Sequence, residues 1–257
     1  MLILLAEAKT MQTAESAVSA IEYGSHKPLY ESVADELMSR LASMSVGELT
    51  HLLKVSGSLA LKMFQFAYNF PDKNNGLECM LAYTGVVFKA LDFPSLNPEE
   101  RHRCNSGVRI VSSLYGWLRP DDIVKPYRLD YSSELPVGNN DFIVASSFWR
   151  KDVTVALVNT IRRDGHSEIL NLLPGDAAKC IDWKLVKNFA KVWKVDFTDA
   201  VTEKTPQAGK LKTMRGKLVR QILKDNIGSA EDLKTVVSDG YVCEGTPRYP
   251  DHLHFLC

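Results

Sequence analysis

Apolar residues fall into short runs of two kinds along this chain. Leu2-Ile3-Leu4-Leu5 is continuous, as a strand buried on both faces requires. Ser32 to Met44 instead sets Val33, Leu37, Leu41 and Met44 at helical spacing, with Ser32 at the N-cap and Glu36 behind it. Ser45 opens a second helix through Leu49, Leu52 and Leu53. Gly57 breaks the pattern, and a third helix runs from Leu59 to Tyr68. Met80–Thr84 and Gly107–Leu114 predict strands. Between them, Asn97-Pro98-Glu99-Glu100 starts a helix with proline in its first position. Ser147 to Ile161 predicts a helix with Trp149, Val153, Leu157 and Ile161 on one face. Glu168–Leu172 predicts a buried strand, Trp183–Phe189 a short helix and Lys191–Phe197 a half-buried strand. Helices at about Lys210–Lys224 and Ala230–Val236 precede a strand near Tyr241. Interleaving of this kind predicts an α/β (mixed α+β) single domain over residues 1–257, with a central mixed sheet flanked by helices.

The second and third helices meet at Val55-Ser56-Gly57. That shape resembles a helix-hairpin-helix, which can present backbone amides to a DNA phosphate. The more common form of such a pair is a plain helical hairpin packed on a core.

With 257 residues, 45% apolar and 24% charged, the chain is long enough to bury a core without staples. No apolar run approaches the roughly 20 residues of a membrane span. The opening run is too short for a signal-peptide core and lacks a basic leader, so a cytoplasmic protein with no membrane partner is expected. Cys79, Cys104, Cys180, Cys243 and Cys257 are odd in number and widely spaced, which predicts reduced thiols. His252 and His254 lack a third ligand, so no metal is expected. No Gly-x-Gly-x-x-Gly or Walker-type motif occurs, and no cofactor is expected.

Net charge is zero, but the average hides a split. From Lys204 to Lys224 there are seven basic residues and no acid, leaving the remainder at −7. Within the helix predicted there, Leu211, Met214, Leu218 and Ile222 form an apolar stripe, and Lys210, Lys217, Arg220 and Lys224 fall on the far side. That outer face is a candidate for DNA-backbone binding without sequence readout. Arg215 lies close to the apolar stripe and needs a counter-charge, from an acid such as Asp130 or from a ligand anion. Lys212 lies on the other edge.

The densest chemistry lies in Leu114-Tyr115-Gly116-Trp117-Leu118-Arg119-Pro120-Asp121-Asp122-Ile123-Val124-Lys125-Pro126-Tyr127-Arg128-Leu129-Asp130. Prolines stiffen the backbone beside Arg119 and Arg128, which suits a guanidinium held ready for phosphate or carboxylate. Pairing with Asp121, Asp122 and Asp130 is the structural alternative. Lys9 follows the first strand, where α/β proteins place ligand-facing residues.

This segment resembles the signature of the peroxide stress protein YaaA family. Met1-Leu2-Ile3-Leu4-Leu5 with Ala8-Lys9-Thr10, Tyr83-Thr84-Gly85, Asn171-Leu172, Arg215-Gly216 and Gly240-Tyr241 extend the likeness over essentially the whole chain. The resemblance implies a cytoplasmic protein of the peroxide stress response that binds duplex or branched DNA. It also implies a positively charged cleft gathering Lys9, Thr10, Arg119, Arg128, Asn171, Lys212 and Arg215, with Tyr115 and Tyr127 in its wall. The alternative is an enzyme acting on a small anionic ligand, with Lys9 as base, nucleophile or anchor and Tyr115 or Tyr127 as proton donor. The chain departs from the family pattern at Ala6-Glu7 (Ser-Pro in the family), at Val86 and Phe88, which replace a carboxylate and a phenol, at 174–177, and at Lys212-Thr213. These changes imply a remodelled cleft.

Overall fold

A computed structural model describes residues 1–13, 26–72, 76–138, 140–234, 237–238, 241–244 and 251–256. Its strands are β1 (Leu2–Ala6), β2 (Leu77–Glu78), β3 (Val108–Ser112), β4 (Gly116–Leu118), β5 (Ile123–Val124), β6 (Glu134–Pro136), β7 (Phe142–Val144), β8 (Glu168–Asn171), β9 (Lys191–Thr198), β10 (Val237–Ser238), β11 (Tyr241–Glu244) and β12 (His252–Leu256). Its helices are α1 (Glu31–Ala42), α2 (Val46–Leu53), α3 (Gly57–Tyr68), α4 (Cys79–Ala82), α5 (Val86–Leu91), α6 (Pro98–Gly107), α7 (Ala145–Phe148), α8 (Arg150–Asp164), α9 (Trp183–Val186), α10 (Ala208–Lys224) and α11 (Ala230–Leu233).

The mixed α/β class expected from the pattern is the class observed. Eight strands form the central sheet in the order β10-β11-β12-β9-β8-β1-β3-β4. β12, β9, β8, β1 and β3 run parallel, and β4 and β11 add antiparallel neighbours. Leu2, Ile3, Leu4 and Leu5 are all buried, as a central parallel strand covered on both faces demands. From β1 the chain adds β3 on one side, then returns to add β8, β9 and β12 on the other. The order therefore reverses between β1 and β8. In open α/β sheets the crevice beyond the carboxyl ends of such a strand pair is where ligands sit.

Local signals explain most helix starts. Ser45 and Glu48 close a capping box on α2, and Asn97 and Glu100 close another on α6, with Pro98 first in the helix. Ser32 is not the cap of α1. That helix starts at Glu31, and Tyr30 stands at the N-cap without a side-chain capping bond. The strand expected at 80–84 is instead the short helix α4. Cys79, Met80 and Ala82 are buried, and a brief apolar run carries no period to separate turn from strand. β12 was not anticipated. α2 and α3 pack on each other and, through Leu49, Ala60 and Met63, against the core.

Among the described residues, no helix is long and apolar enough to cross a membrane. Cys79, Cys104 and Cys180 are free and buried. Cys257, and the side chain of Cys243, lie outside the described residues. No group of three or more potential metal-binding side chains converges among the described residues. His252 bonds Asp196, and His254 shares a 2.7 Å hydrogen bond with Thr198.

Candidate functional site

The Leu114–Asp130 segment forms a strap that carries edge strand β4 of the central sheet, passes through β5 and returns to the end of β1, and its residues serve distinct ends. Gly116 has a φ of +67°, and the Trp149 ring lies where a side chain would project, which explains the glycine. The Arg119 amide donates to Asp122 at 2.8 Å, and Tyr115 Oη accepts from the Lys125 amide at 3.0 Å. The strap then delivers Tyr127, Arg128 and Asp130 to the end of β1. Arg128 donates to the Lys9 carbonyl, and Lys9 Nζ reaches Asp130 at 2.8 Å. Its bonds from Lys9 and Ser132 hold Asp130 below the usual carboxylate range despite its partial burial.

Beyond β1 and β8 opens a cavity of about 460 Å³. Leu5 to Thr10 form its floor, Gly85 to Phe88 one wall, and Leu172, Pro174 and Asp176 another. α10 contributes Lys212 and Arg215. Gly216 explains why this helix sits so close. A methyl group there would overlap the Val87 carbonyl and stand 2.8 Å from Ala90 Cβ, so only glycine lets α10 lie on α5. The Arg-Gly pair thus joins a cleft-facing cation to a packing requirement.

Two groups in this cavity are incompletely partnered. Arg215 makes no ion pair or hydrogen bond among the described residues. Burial lowers its pKa, and the charge of Asp176 opposes that shift. Glu7 is the second. Its Oε2 accepts from the Ser113 amide at 2.9 Å and from the Tyr127 hydroxyl, while its Oε1 is shut off from solvent with no partner. Tyr127 Oη also bonds Tyr83 at 2.7 Å and Ser112 at 2.8 Å. The Glu7 amide donates to Tyr131 Oη at 3.2 Å. Burial lifts the Glu7 carboxyl from the usual range to about 7, against the pull of the Ser113 and Tyr127 bonds. The Tyr127 hydroxyl is pushed well up by burial and by Glu7, and stays a donor at neutral pH.

Comparison with known sequences places this architecture. The family described as peroxide stress protein YaaA matches residues 1–246. The chain belongs to the peroxide stress protein YaaA family. It is 30% identical to a UPF0246 protein of Parabacteroides distasonis, over 100% of this chain and 99% of the relative. It is 32% identical to UPF0246 proteins of Bacteroides thetaiotaomicron (94% of this chain, 92% of the relative) and Crocosphaera subtropica (94% of each).

Against this YaaA-family frame, the sequence candidates separate. Lys9, Thr10, Lys212 and Arg215 line the cavity. Arg119 does not: its Nε lies 3.5 Å from Asp121, away from the cleft-lining set. Arg128 braces the end of β1 through the Lys9 carbonyl. Asn171 shapes the bend after β8, its Oδ1 accepting from the Leu173 amide at 3.0 Å. Tyr115 borders a different cavity, with His26 and Lys125. Tyr127 is buried beneath the floor on Glu7, not free in a wall. The expected positive cleft is mixed in sign, since Lys9, Lys212 and Arg215 share it with Glu7, Asp130 and Asp176.

The outer face of α10 is also less free than its sequence suggests. Lys210 pairs with Asp199 at 2.9 Å. Arg220 donates to the Leu91 and Asp92 carbonyls at 2.9 and 3.0 Å, and lies 3.6 Å from the Asp92 carboxylate. The helix has no acid of its own, but neighbouring elements supply two. Sequence reasoning gave Glu7 no role. A lone acid directly after a fully apolar strand was the available signal, because the end of a central parallel strand is where ligand-facing groups collect.

Proposed function

We propose that this chain serves the peroxide stress response through its cleft, which binds a small anionic ligand on Arg215 and Lys212 beside Glu7 as a proton-transfer group. The observation that carries this reading is Arg215, a half-buried guanidinium with no direct ion pair or hydrogen bond among the described residues, countered only by the nearby charge of Asp176, in a cavity at the β1/β8 reversal. A ligand phosphate or carboxylate supplies a direct partner and matches the planar donor fork. A carboxyl group that titrates near 7 suits proton exchange at working pH. Thermal-shift titration with inorganic phosphate and with small carboxylates tests the reading. The anion-dependent rise in Tm should appear in the wild type and vanish in Arg215→Gln. Persistence of the rise in that variant refutes the site.

A second reading keeps duplex or branched DNA as the partner. It is favoured by α10, whose own sequence carries only positive charge and extends from the cleft to Lys224, and by the α2–α3 hairpin. Backbone binding of this kind weakens steeply with salt, and a salt series on duplex DNA reads it directly.

A further inference from the structure

Arg215 lines two cavities, not one. On the side away from Glu7 lies a second space of about 330 Å³, bordered by Asp196, Thr198, Thr205, His252 and His254 as well as Arg215. The sheet explains the position. Lys194 of β9 pairs with Asn171, the last residue of β8, and β9 then runs on to Thr198. β12 accompanies it in parallel, with His254 opposite Asp196. Because side chains alternate along a strand, Asp196, Thr198, His252 and His254 share one face. α10 borders the space above that face with Leu211 and Arg215. The crevice along the carboxyl ends of the strands therefore continues past β8, and Arg215 stands at the junction.

The chemistry of the two spaces differs. The first carries Lys9, Lys212 and Arg215 together with Glu7, Asp130 and Asp176. The second carries the Arg215 guanidinium, one carboxylate, two hydroxyls and two imidazoles, and no lysine. Asp196 and His252 are bonded to each other, as are Thr198 and His254, so these side chains are held in fixed directions. Lys9 and Lys212 favour the anionic group in the first space, and the second has no lysine to hold another. Carboxylate, hydroxyl and imidazole together offer the mixture of donors and acceptors that a ligand hydroxyl needs, since each hydroxyl gives one proton and accepts two. Cavities of some 300–1,000 Å³ are the size that small ligands occupy.

We infer that the second cavity is part of the same ligand site, and that the ligand is a polyhydroxylated anion of the sugar-phosphate or polyol-phosphate class, its anionic group on Lys212 and Arg215 and its hydroxyls on Asp196, Thr198 and Thr205. The inference rests on the anion-binding reading of the first cavity and names the class of molecule it takes.

Calorimetric titration of the full chain with ethyl phosphate, ribose 5-phosphate and glucose 6-phosphate tests it. Ethyl phosphate has the anion without the hydroxyls. The wild type should prefer at least one sugar phosphate over ethyl phosphate by about tenfold or more, the equivalent of one or two net hydrogen bonds. Asp196→Asn and Thr205→Val should each reduce that ratio by at least about threefold. Thr205 is exposed, so its variant keeps the test valid should Asp196→Asn fold poorly. Equal affinity for ethyl phosphate and both sugar phosphates overturns the extended site while leaving the anion site standing. So does a preference that neither variant alters. Binding of none of the three probes removes both readings.

Discussion

Tyr127 donates its hydroxyl hydrogen bond to Glu7 beneath the floor of the cleft. The pair joins the two most distinctive parts of the chain, the Leu114–Asp130 strap and the end of β1. Tyr83 and Ser112 bond the same hydroxyl, and the Ser113 amide bonds the same carboxyl oxygen. Glu7 is therefore well held on one oxygen and bare on the other; the bonds favour its ionised form, but burial outweighs them and favours the neutral one.

Glu7 makes stability depend on pH in a definite direction. In the unfolded chain an ordinary glutamate loses its proton near 4.5, whereas folded Glu7 keeps it to about 7. Between those values the folded state binds the extra proton, so stability falls as pH rises, and the loss is complete above about 7. Its size is on the order of 3 kcal/mol. Asp122, raised to about 6 chiefly by burial, acts in the same sense in wild type and variant alike and cancels in their difference. Urea unfolding from pH 4.5 to 8 should show Glu7→Gln gaining on the wild type as pH rises. A gap between the two that does not change with pH would show that Glu7 ionises normally.

Gly216→Ala should destabilise the chain by about 2 kcal/mol or more, because the clash is with backbone of α5 and not with a flexible side-chain tip. Thermal melting would register this as a fall of several degrees. Gly209, earlier on the same helix, has open space where its Cβ would stand. Gly209→Ala should leave stability equal or higher, which separates packing from helix propensity. Equal Tm values for the two variants would contradict the close approach of α10 to α5.

Much of the scaffold was readable from the residue pattern, and the reasons are local. The apolar run Leu2–Leu5, the box residues Ser45/Glu48 and Asn97/Glu100, and the stripe on α10 each state their structure within a dozen residues. The site was readable only in part. Lys9 and Arg215 could be placed because each stands at a defined point of its own strand or helix. Partners could not. Arg220 finds its acceptors 129 and 128 residues away, Tyr127 finds Glu7 120 residues away, and Lys9 finds Asp130 121 away. Prolines near Arg119 and Arg128 restrict the backbone there, but such a restriction does not say what the side chains meet.

Arg215 and Arg119 should behave oppositely on substitution. Arg215→Gln removes a half-buried charge that has no direct ion pair or hydrogen bond among the described residues, so stability without ligand should hold or rise slightly while anion binding is lost. Arg119→Gln leaves the cleft intact but removes the cation beside buried Asp121. It should reduce stability by about 1–3 kcal/mol and leave anion affinity alone. Calorimetry with phosphate and denaturant unfolding on both variants decide the matter. Loss of anion binding in Arg119→Gln alone would move the site to the strap.

Within α10, Arg220 and Lys224 separate structure from DNA binding. Arg220 ties the helix to the end of α5 through two carbonyl bonds and is near the Asp92 carboxylate. Truncating it to Gln leaves those acceptors short of a charged donor and should cost about 1–2 kcal/mol of stability. Lys224 is exposed at the last turn of the helix, so Lys224→Gln should be neutral for stability. Duplex binding along this face gives a different signature, in which the slope of log affinity against log salt shrinks by about 0.9 for each phosphate contact removed. Arg220, already committed to the protein, should leave that slope unchanged, while Lys224 should reduce it if DNA lies along α10. Unfolding curves and a salt series on both variants give four numbers. A reduced slope with unchanged stability in Arg220→Gln would show that its bonds to α5 are incidental and that the whole outer face is available to phosphate.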